Sequence, residues 1–354
     1  MKAAVCYEFG KPLVVEEVEI DPVGKDDVKV HLAATAVCYS DIYALRGELA
    51  GKPPGVAGHE SAGYVEEVGE NVTSVKAGDP VVVSTSGGCG KCWYCSIGLP
   101  NLCESVKPSG GHLSNKQGQR LASIGGQGFA EFTIVDESRL VKVPREMPID
   151  RVSLLACSVL TGFGAVVNRA QVLPLSSVVV MGAGGVGLNA IQAAALSGAN
   201  PIIAVDVLDS KLGMAKAFGA THTFNAHQED VIKTVQQLTV RGADYVFITV
   251  GSAAAVRQGF SMSRPRGMTV IVGATRKENL TFLGGDFLRG ERVVTGCGMG
   301  SARLRIDIPR LVSLYQAGRL KLDELITGRY PLERINEAIA DMETGNALRN
   351  VIMF

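Results

Sequence analysis

Apolar and polar positions follow two different rhythms along the chain. In the first third they alternate: Val28-Lys29-Val30-His31-Leu32-Ala33 has the period of two that a half-buried strand requires. Parts of 63–68 and 79–84 repeat that pattern, and glycine and proline interrupt the chain from Gly47 to Pro108. Helix-period patterns are scarce there, so a β-rich lobe is expected. From residue 178 the rhythm changes. The pattern predicts a strand at 178–181, a glycine turn and an alanine-rich helix to about Ser197. A strand at 202–205 and a helix at 210–218 follow, with Gly219 placed as a helix terminator. Helices at 231–238 and 253–262 then alternate with strands at 245–250 and 269–272. Strands and helices alternating at this spacing predict βαβ units and a parallel sheet. Beyond about Met299 the character is mixed. An amphipathic helix is expected at 335–342, and a final strand at 348–354 that packs back on the first lobe.

The length of 354 residues suits two domains, or three. Lys and Arg together number 35, as do Asp and Glu, so there is no basic excess for nucleic acid or an anionic membrane. The uncharged run 178–199 is long enough to span a bilayer. Gly182, Gly184, Gly185, Gly187 and Gly198 break it, which favours strand, turn and helix instead. The N-terminus lacks the apolar core of a signal peptide, so a cytoplasmic protein is expected.

Four of the eight cysteines fall in Cys89-x2-Cys92-x2-Cys95-x7-Cys103. Four thiolates this close suit one tetrahedral structural zinc. The rivals are an iron–sulfur cluster, whose last gap is usually shorter, and disulfides. Gly182-Ala183-Gly184-Gly185-Val186-Gly187 matches G-x-G-x-x-G between an expected strand and helix. Asp206 ends the next strand at the position of a ribose-binding carboxylate. Glycine backbone and a helix N-terminus suit a pyrophosphate, and Asp206 would repel a 2′-phosphate, favouring NAD over NADP. Cys38, His59 and Cys157 are donors for a second metal with one open position. Their spacing alone does not group them, and Cys157 taken singly reads more readily as a buried apolar thiol.

Taken together, these motifs resemble the zinc-dependent medium-chain alcohol dehydrogenases. The resemblance runs through Cys38-Tyr39-Ser40-Asp41, Gly58-His59-Glu60, the four-cysteine lobe, Cys157–Gly162, the Gly182–Gly187 turn and Leu348–Ile352. It implies an α/β protein with a β-rich GroES-like catalytic domain and a doubly wound Rossmann domain. The expected boundaries are 1–157 catalytic, 158–298 dinucleotide-binding and 299–354 returning to the catalytic domain. Cys38, His59 and Cys157 would hold a catalytic zinc, with Glu60 behind it as a transient ligand. Asp41 would orient His59, and Ser40 would take the alcohol's proton. Thr161 would lie along the nicotinamide, Lys211 at the adenosine ribose and Arg349 at the pyrophosphate. The implied activity is hydride transfer between an alcohol and NAD, with an aldehyde or ketone in reverse. Two zinc ions per subunit and a homodimer or homotetramer are implied as well. The rivals are a zinc-dependent reductase of activated alkenes or acyl thioesters and a non-catalytic NAD- and zinc-binding relative.

Several positions depart from parts of the family. Tyr39 stands where some members carry a cationic partner for the cofactor, and Tyr43 where some carry a proton-relay histidine. The C-terminal third looks most like the branch acting on formaldehyde–thiol adducts, yet the acidic slot of that branch holds Gly47. Cys157 argues against the polyol branch, which usually has glutamate there, and the cysteine lobe against the zinc-free quinone reductases. Cys6 and Cys297 are expected as core thiols, and His31, His112, His222 and His227 as bystanders. Lys107 and Arg120 are expected in the loop after the cysteine lobe, with contact to substrate the lesser reading for both.

Overall fold

The computed structural model describes residues 1–105, 110–274, 278–345 and 347–354. Lys107 lies outside the described residues. The chain divides into two compact units, one formed by Met1–Ser158 with Arg303–Phe354 and the other by Val159–Ala302. The second boundary falls later than the sequence suggests. The turn Met299–Ser301 packs within the second unit, where Gly300 meets Leu160 and Gly164.

The first unit holds a closed barrel and a sheet of seven strands. In the barrel, Lys2–Cys6 pairs with both Val14–Ile20 and Gly55–Val56. Leu113–Asn115 and Arg120–Ser123 complete it. Its interior is filled by Ala3, Val5, Leu113, Leu121, Ile124 and Phe129. The sheet is ordered Leu140–Lys142, Pro80–Val83, Glu60–Val68, Asp27–Ala36, Arg349–Met353 and Ile326–Pro331, with Phe132–Asp136 also on Asp27–Ala36. Alternation along Asp27–Ala36 buries Val28, Val30 and Leu32 completely, as a period of two demands. The C-terminal strand pairs antiparallel with Asp27–Ala36, Val351 opposite Ala36.

The second unit is a six-stranded parallel sheet in the order His222–Asn225, Ile202–Asp206, Val178–Met181, Ala243–Ile248, Ser263–Ile271 and Val293–Gly296. This doubly wound order reverses between Val178–Met181 and Ala243–Ile248, which is where such sheets bind dinucleotides. Val178–Met181 is wholly apolar and buried, and Ile202–Asp206 is so up to its last residue, as strands of parallel sheets are. The uncharged run 178–199 folds as strand Val178–Met181 and helix Gly185–Leu196, with Gly182–Gly184 between them. Among the described residues no helix is long and apolar enough to cross a membrane.

Candidate active site

Three strands of the first unit bring a ligand set to one end of its sheet. Asp27–Ala36 runs out two residues before Cys38, and Glu60–Val68 begins directly after His59. Ala36 pairs with Glu60, which fixes these two ends side by side. Arg349 opens the third strand, and Val37 donates its N–H to the Asn350 carbonyl at 2.8 Å. Cys157 arrives just ahead of the helix Ser158–Gly164. The result is a group of Cys38, His59, Glu60 and Cys157, with one donor atom from each lying within 4.8 Å of the others.

The surroundings orient that group. Asp41 sits in the first turn of the short helix Tyr39–Leu45 and reaches back to accept the Cys38 N–H at 2.9 Å. Its other oxygen lies 2.6 Å from His59 Nδ1, which leaves Nε2 for a cation. Burial works against a charged His59, but the Asp41 carboxylate and the Cys38 sulfur outweigh it and hold its pKa well above the usual range. Cys157 donates to Cys38, favouring the Cys38 thiolate and holding the Cys157 thiol up. A dication bound here would take the place of that shared proton, and two buried sulfurs beside an oriented imidazole fit a zinc ion. Ser40 Oγ donates to Cys38 Sγ at 3.2 Å and lies 3.3 Å from His59 Nε2.

Glu60 is fully buried, and burial raises it to about 8 although the Arg349 charge pulls the other way. It accepts from Ser158 N at 3.1 Å and from Ser158 Oγ at 3.2 Å, and Arg349 Nε lies 3.5 Å away. That Nε makes no hydrogen bond to the described residues. The sequence did not reveal the Ser158 and Arg349 contacts with Glu60. Placing Cys157 in the ligand set would have brought Ser158 along, but the register of the last strand is a property of the folded sheet.

Tyr39 and Tyr43, one helical turn apart, pack edge to face at 5.3 Å. Gly47 has φ +75, and an added Cβ would meet the Phe9 ring at 2.9 Å, so an acidic residue fits poorly at that slot. Arg120 is on a strand rather than in the loop that the sequence suggests. It lies in the barrel strand Arg120–Ser123 and holds Asp21 with two hydrogen bonds of 2.8 Å. Cys6 and Cys297 are buried thiols, and burial raises the pKa of both. His31 stacks on Phe132 at 4.6 Å, and His112 lies 3.7 Å from Asp21.

Cys89, Cys92, Cys95 and Cys103 form the second group, again with donor atoms within 4.8 Å. None of the eight cysteines is in a disulfide. Backbone N–H groups converge on the sulfurs: Cys92 N on Cys89 at 3.2 Å, Cys89 N on Cys103 at 3.3 Å and Ser105 N on Cys103 at 3.4 Å. Amides from Lys91 and Cys92 lower Cys89 to about 6, while burial raises Cys95 to about 12. Gly90, with φ +72, makes the left-handed corner that turns these amides inward. Four sulfurs so arranged fit a tetrahedral zinc with no open position.

In the second unit Gly182 has φ +96, and Gly184 caps the helix Gly185–Leu196. A Cβ on Gly187 would lie 1.8 Å from the Gly182 carbonyl oxygen, and one on Gly162 would lie 2.2 Å from that of Val186. Glycine is therefore required for the turn to close and for the Thr161–Gly162 helix to pack on it. Asp206 accepts the Ala183 N–H at 2.7 Å and those of Val207 and Leu208 at 2.8 and 3.1 Å. The carboxylate is thereby fixed at the edge of the glycine turn. Lys211 lies half-buried in the first turn of the helix Asp209–Ala217.

Two family models match the chain, the alcohol dehydrogenase GroES-like domain at residues 24–145 and the zinc-binding dehydrogenase at 185–317. The chain is 38% identical to the NDMA-dependent alcohol dehydrogenase of Amycolatopsis methanolica, over 99% of this chain and 98% of that protein. It is 37% identical to the S-(hydroxymethyl)glutathione dehydrogenase of Komagataella pastoris, over 99% and 97%. Among solved structures it resembles benzyl alcohol dehydrogenase from Acinetobacter calcoaceticus, with TM-score 0.92, 34% identity and coverage of 100% and 99%. The chain belongs to the zinc-dependent medium-chain alcohol dehydrogenases. It is an oxidoreductase moving a hydride between an alcohol and NAD(H), with zinc as its metal cofactor.

Proposed function

We propose that the chain oxidises an uncharged alcohol at a zinc held by Cys38, His59 and Cys157, with Glu60 in reserve behind the metal. The observation that carries this reading is the convergence of these four donors within 4.8 Å at one sheet end. Zinc, when bound, supplies a Lewis acid that acidifies the alcohol or polarises the carbonyl in reverse, and the nicotinamide supplies the hydride acceptor. Asp41 holds the His59 ring with Nε2 turned to the metal. Ser40 Oγ, set against two of the ligand residues, receives the alcohol's proton. Tyr39 and Tyr43 are proposed to shape the entrance beside it, Tyr39 toward the cofactor and Tyr43 where the proton leaves. The resemblance implies a pyrophosphate contact for Arg349. Its burial against Glu60 supports a counter-charge role instead, and that is the role proposed.

The cofactor is proposed to be NAD rather than NADP. The Gly182, Gly184, Gly185, Val186 and Gly187 backbone would hold its pyrophosphate, Asp206 and Lys211 its adenosine ribose, and Thr161 its nicotinamide. A fixed carboxylate at the edge of the glycine turn supports this by leaving no place for a 2′-phosphate. Gly47 argues against a thiol-adduct substrate, since it offers no carboxylate to a thiol carrier. Four sulfurs are proposed to close around the second zinc at Cys89, Cys92, Cys95 and Cys103. A homodimer or homotetramer is proposed because the edge strand Val293–Gly296 is paired on one side only, with Leu283 and Leu288 exposed nearby in sequence. Cysteines outside any disulfide suit a reducing, cytoplasmic compartment.

The test is kcat/KM with NAD and with NADP across primary, secondary, aromatic and terpenoid alcohols. NADH formation from at least one class supports the reading. Turnover confined to saturation of an activated alkene, or a preference for NADP, refutes it.

A further inference from the structure

A run of left-handed backbone lies at the end of the dinucleotide sheet. Met299, Gly300 and Ser301 have φ of +48, +67 and +48, three consecutive left-handed residues of which two carry side chains. Isolated left-handed residues occur in many turns, but a run of them is costly and persists only where neighbours hold it. Here the neighbours come from the chain segment 160–169. Gly300 presses on it so closely that a Cβ there would lie 2.2 Å from the Leu160 carbonyl oxygen, and one on Gly164 would lie 2.2 Å from that of Gly300. Asn168 Nδ2 donates to the Gly300 carbonyl at 3.3 Å. Arg169 Nε donates to the Gly296 carbonyl at 3.0 Å, and its Nη2 reaches Thr295 Oγ1. Both ends of the loop 296–301 are thus tied to one segment.

The position of the loop gives the clamp a function. It leaves the C-terminal end of Val293–Gly296, the last strand of the second half of the sheet. Dinucleotides lie outside the carboxyl ends of such strands, one mononucleotide on each half. Asp206 and the glycine turn belong to the first half, so the adenosine lies there and the nicotinamide lies toward the second. Thr161, expected along the nicotinamide, sits on the same segment as Leu160 and Gly164. We infer that Asn168 and Arg169 are positioning residues, which hold the left-handed turn Met299–Ser301 so that its backbone receives the nicotinamide end of the cofactor. The inference rests on Asp206 marking the adenosine half.

The test uses the zinc-loaded full-length protein and two ligands, NADH and ADP-ribose, which lacks the nicotinamide ring. Asn168→Ala and Arg169→Gln are titrated with each ligand by calorimetry. The expected result is a Kd for NADH weakened roughly tenfold with ADP-ribose affected less than twofold, and partial recovery of NADH affinity in Arg169→Lys. Equal loss of both ligands would mean general damage to the unit, and no loss of either would mean the clamp is irrelevant to the cofactor. Either result overturns the inference. Arg169 is exposed, so its variants keep the test open should Asn168→Ala fail to fold. If the unmodified protein binds neither ligand, the NAD reading itself fails, which is a distinguishable outcome.

Discussion

Asp41 offers a sharp test of how the ligand set is held. Its side chain is 1% exposed, and each carboxylate oxygen serves a different partner, His59 Nδ1 at 2.6 Å and the Cys38 N–H at 2.9 Å. Asp41→Ala strips the acceptor from both donors. A buried donor left unpaired costs about 1–3 kcal/mol, so two cost at most about 2–6 kcal/mol, less whatever a water entering the space restores. Part of that loss falls on folding and part on the metal. Removing such a partner of a ligating histidine typically weakens metal affinity 10–100-fold, which corresponds to about 1.4–2.8 kcal/mol. Asp41→Asn should fall between, since the amide keeps an acceptor oxygen but loses the charge. The assay is competition with a graded series of zinc chelators, with zinc counted per subunit at each step. The four-cysteine zinc serves as an internal control, because none of its ligands touches Asp41. If Asp41→Ala holds both zinc ions as tightly as the unmodified protein, or loses both together, the account of this hydrogen-bonded shell is wrong.

Other expectations follow from the same contacts. Asp206→Gly should narrow or invert the preference for NAD over NADP in kcat/KM; because Asp206 also ties the Ala183, Val207 and Leu208 amides, NAD affinity should fall as well, and an unchanged preference would place the ribose elsewhere. Cys103→Ser should cost one zinc per subunit by elemental analysis while NADH still binds. Trp93 on that lobe is already 63% exposed, so its emission should move little, and retention of both zinc ions would remove Cys103 from the ligand set. Asp150 is opposed by burial, yet hydrogen bonds from Arg151 and Arg329 outweigh it and lower its pKa. A lowered folded pKa stabilises above the unfolded value of ~3.9 and is lost as pH falls through the folded pKa. Asp150→Asn should therefore lower Tm at neutral pH, with the gap from the unmodified protein closing on acidification below about pH 4; a gap independent of pH would contradict the ion-pair assignment.

Sequence rhythm gave the four inner strands of the parallel sheet, because Val178–Met181, Ile202–Asp206 and Ala243–Ile248 are short, mostly apolar and bounded by turns, but it missed the edge strands His222–Asn225 and Val293–Gly296. The four-cysteine group was legible for a related reason, since its ligands lie on one loop and spacing measures proximity there. The other ligand set was legible only through family resemblance. Cys38 and His59 are joined by strand register and Cys157 by the packing of the segment ahead of the helix Ser158–Gly164, and both are properties of the folded unit. Several helices escaped notice, two of them for a plain reason. Tyr39–Leu45 is too short to show a period, and Leu304–Gln316 carries Pro309 within it, which hides the helical pattern.

The central claim is that Cys38, His59 and Cys157 hold the zinc at which the alcohol reacts, and Cys157→Ser tests it most directly. Zinc per subunit, NADH binding and NADH formation should be measured on that variant beside the unmodified protein, with an alcohol the latter oxidises. The account predicts loss of one zinc, near-normal NADH binding and no turnover. Undiminished turnover, or two zinc ions retained without Cys157, would contradict it and return Cys157 to the role of a buried apolar thiol.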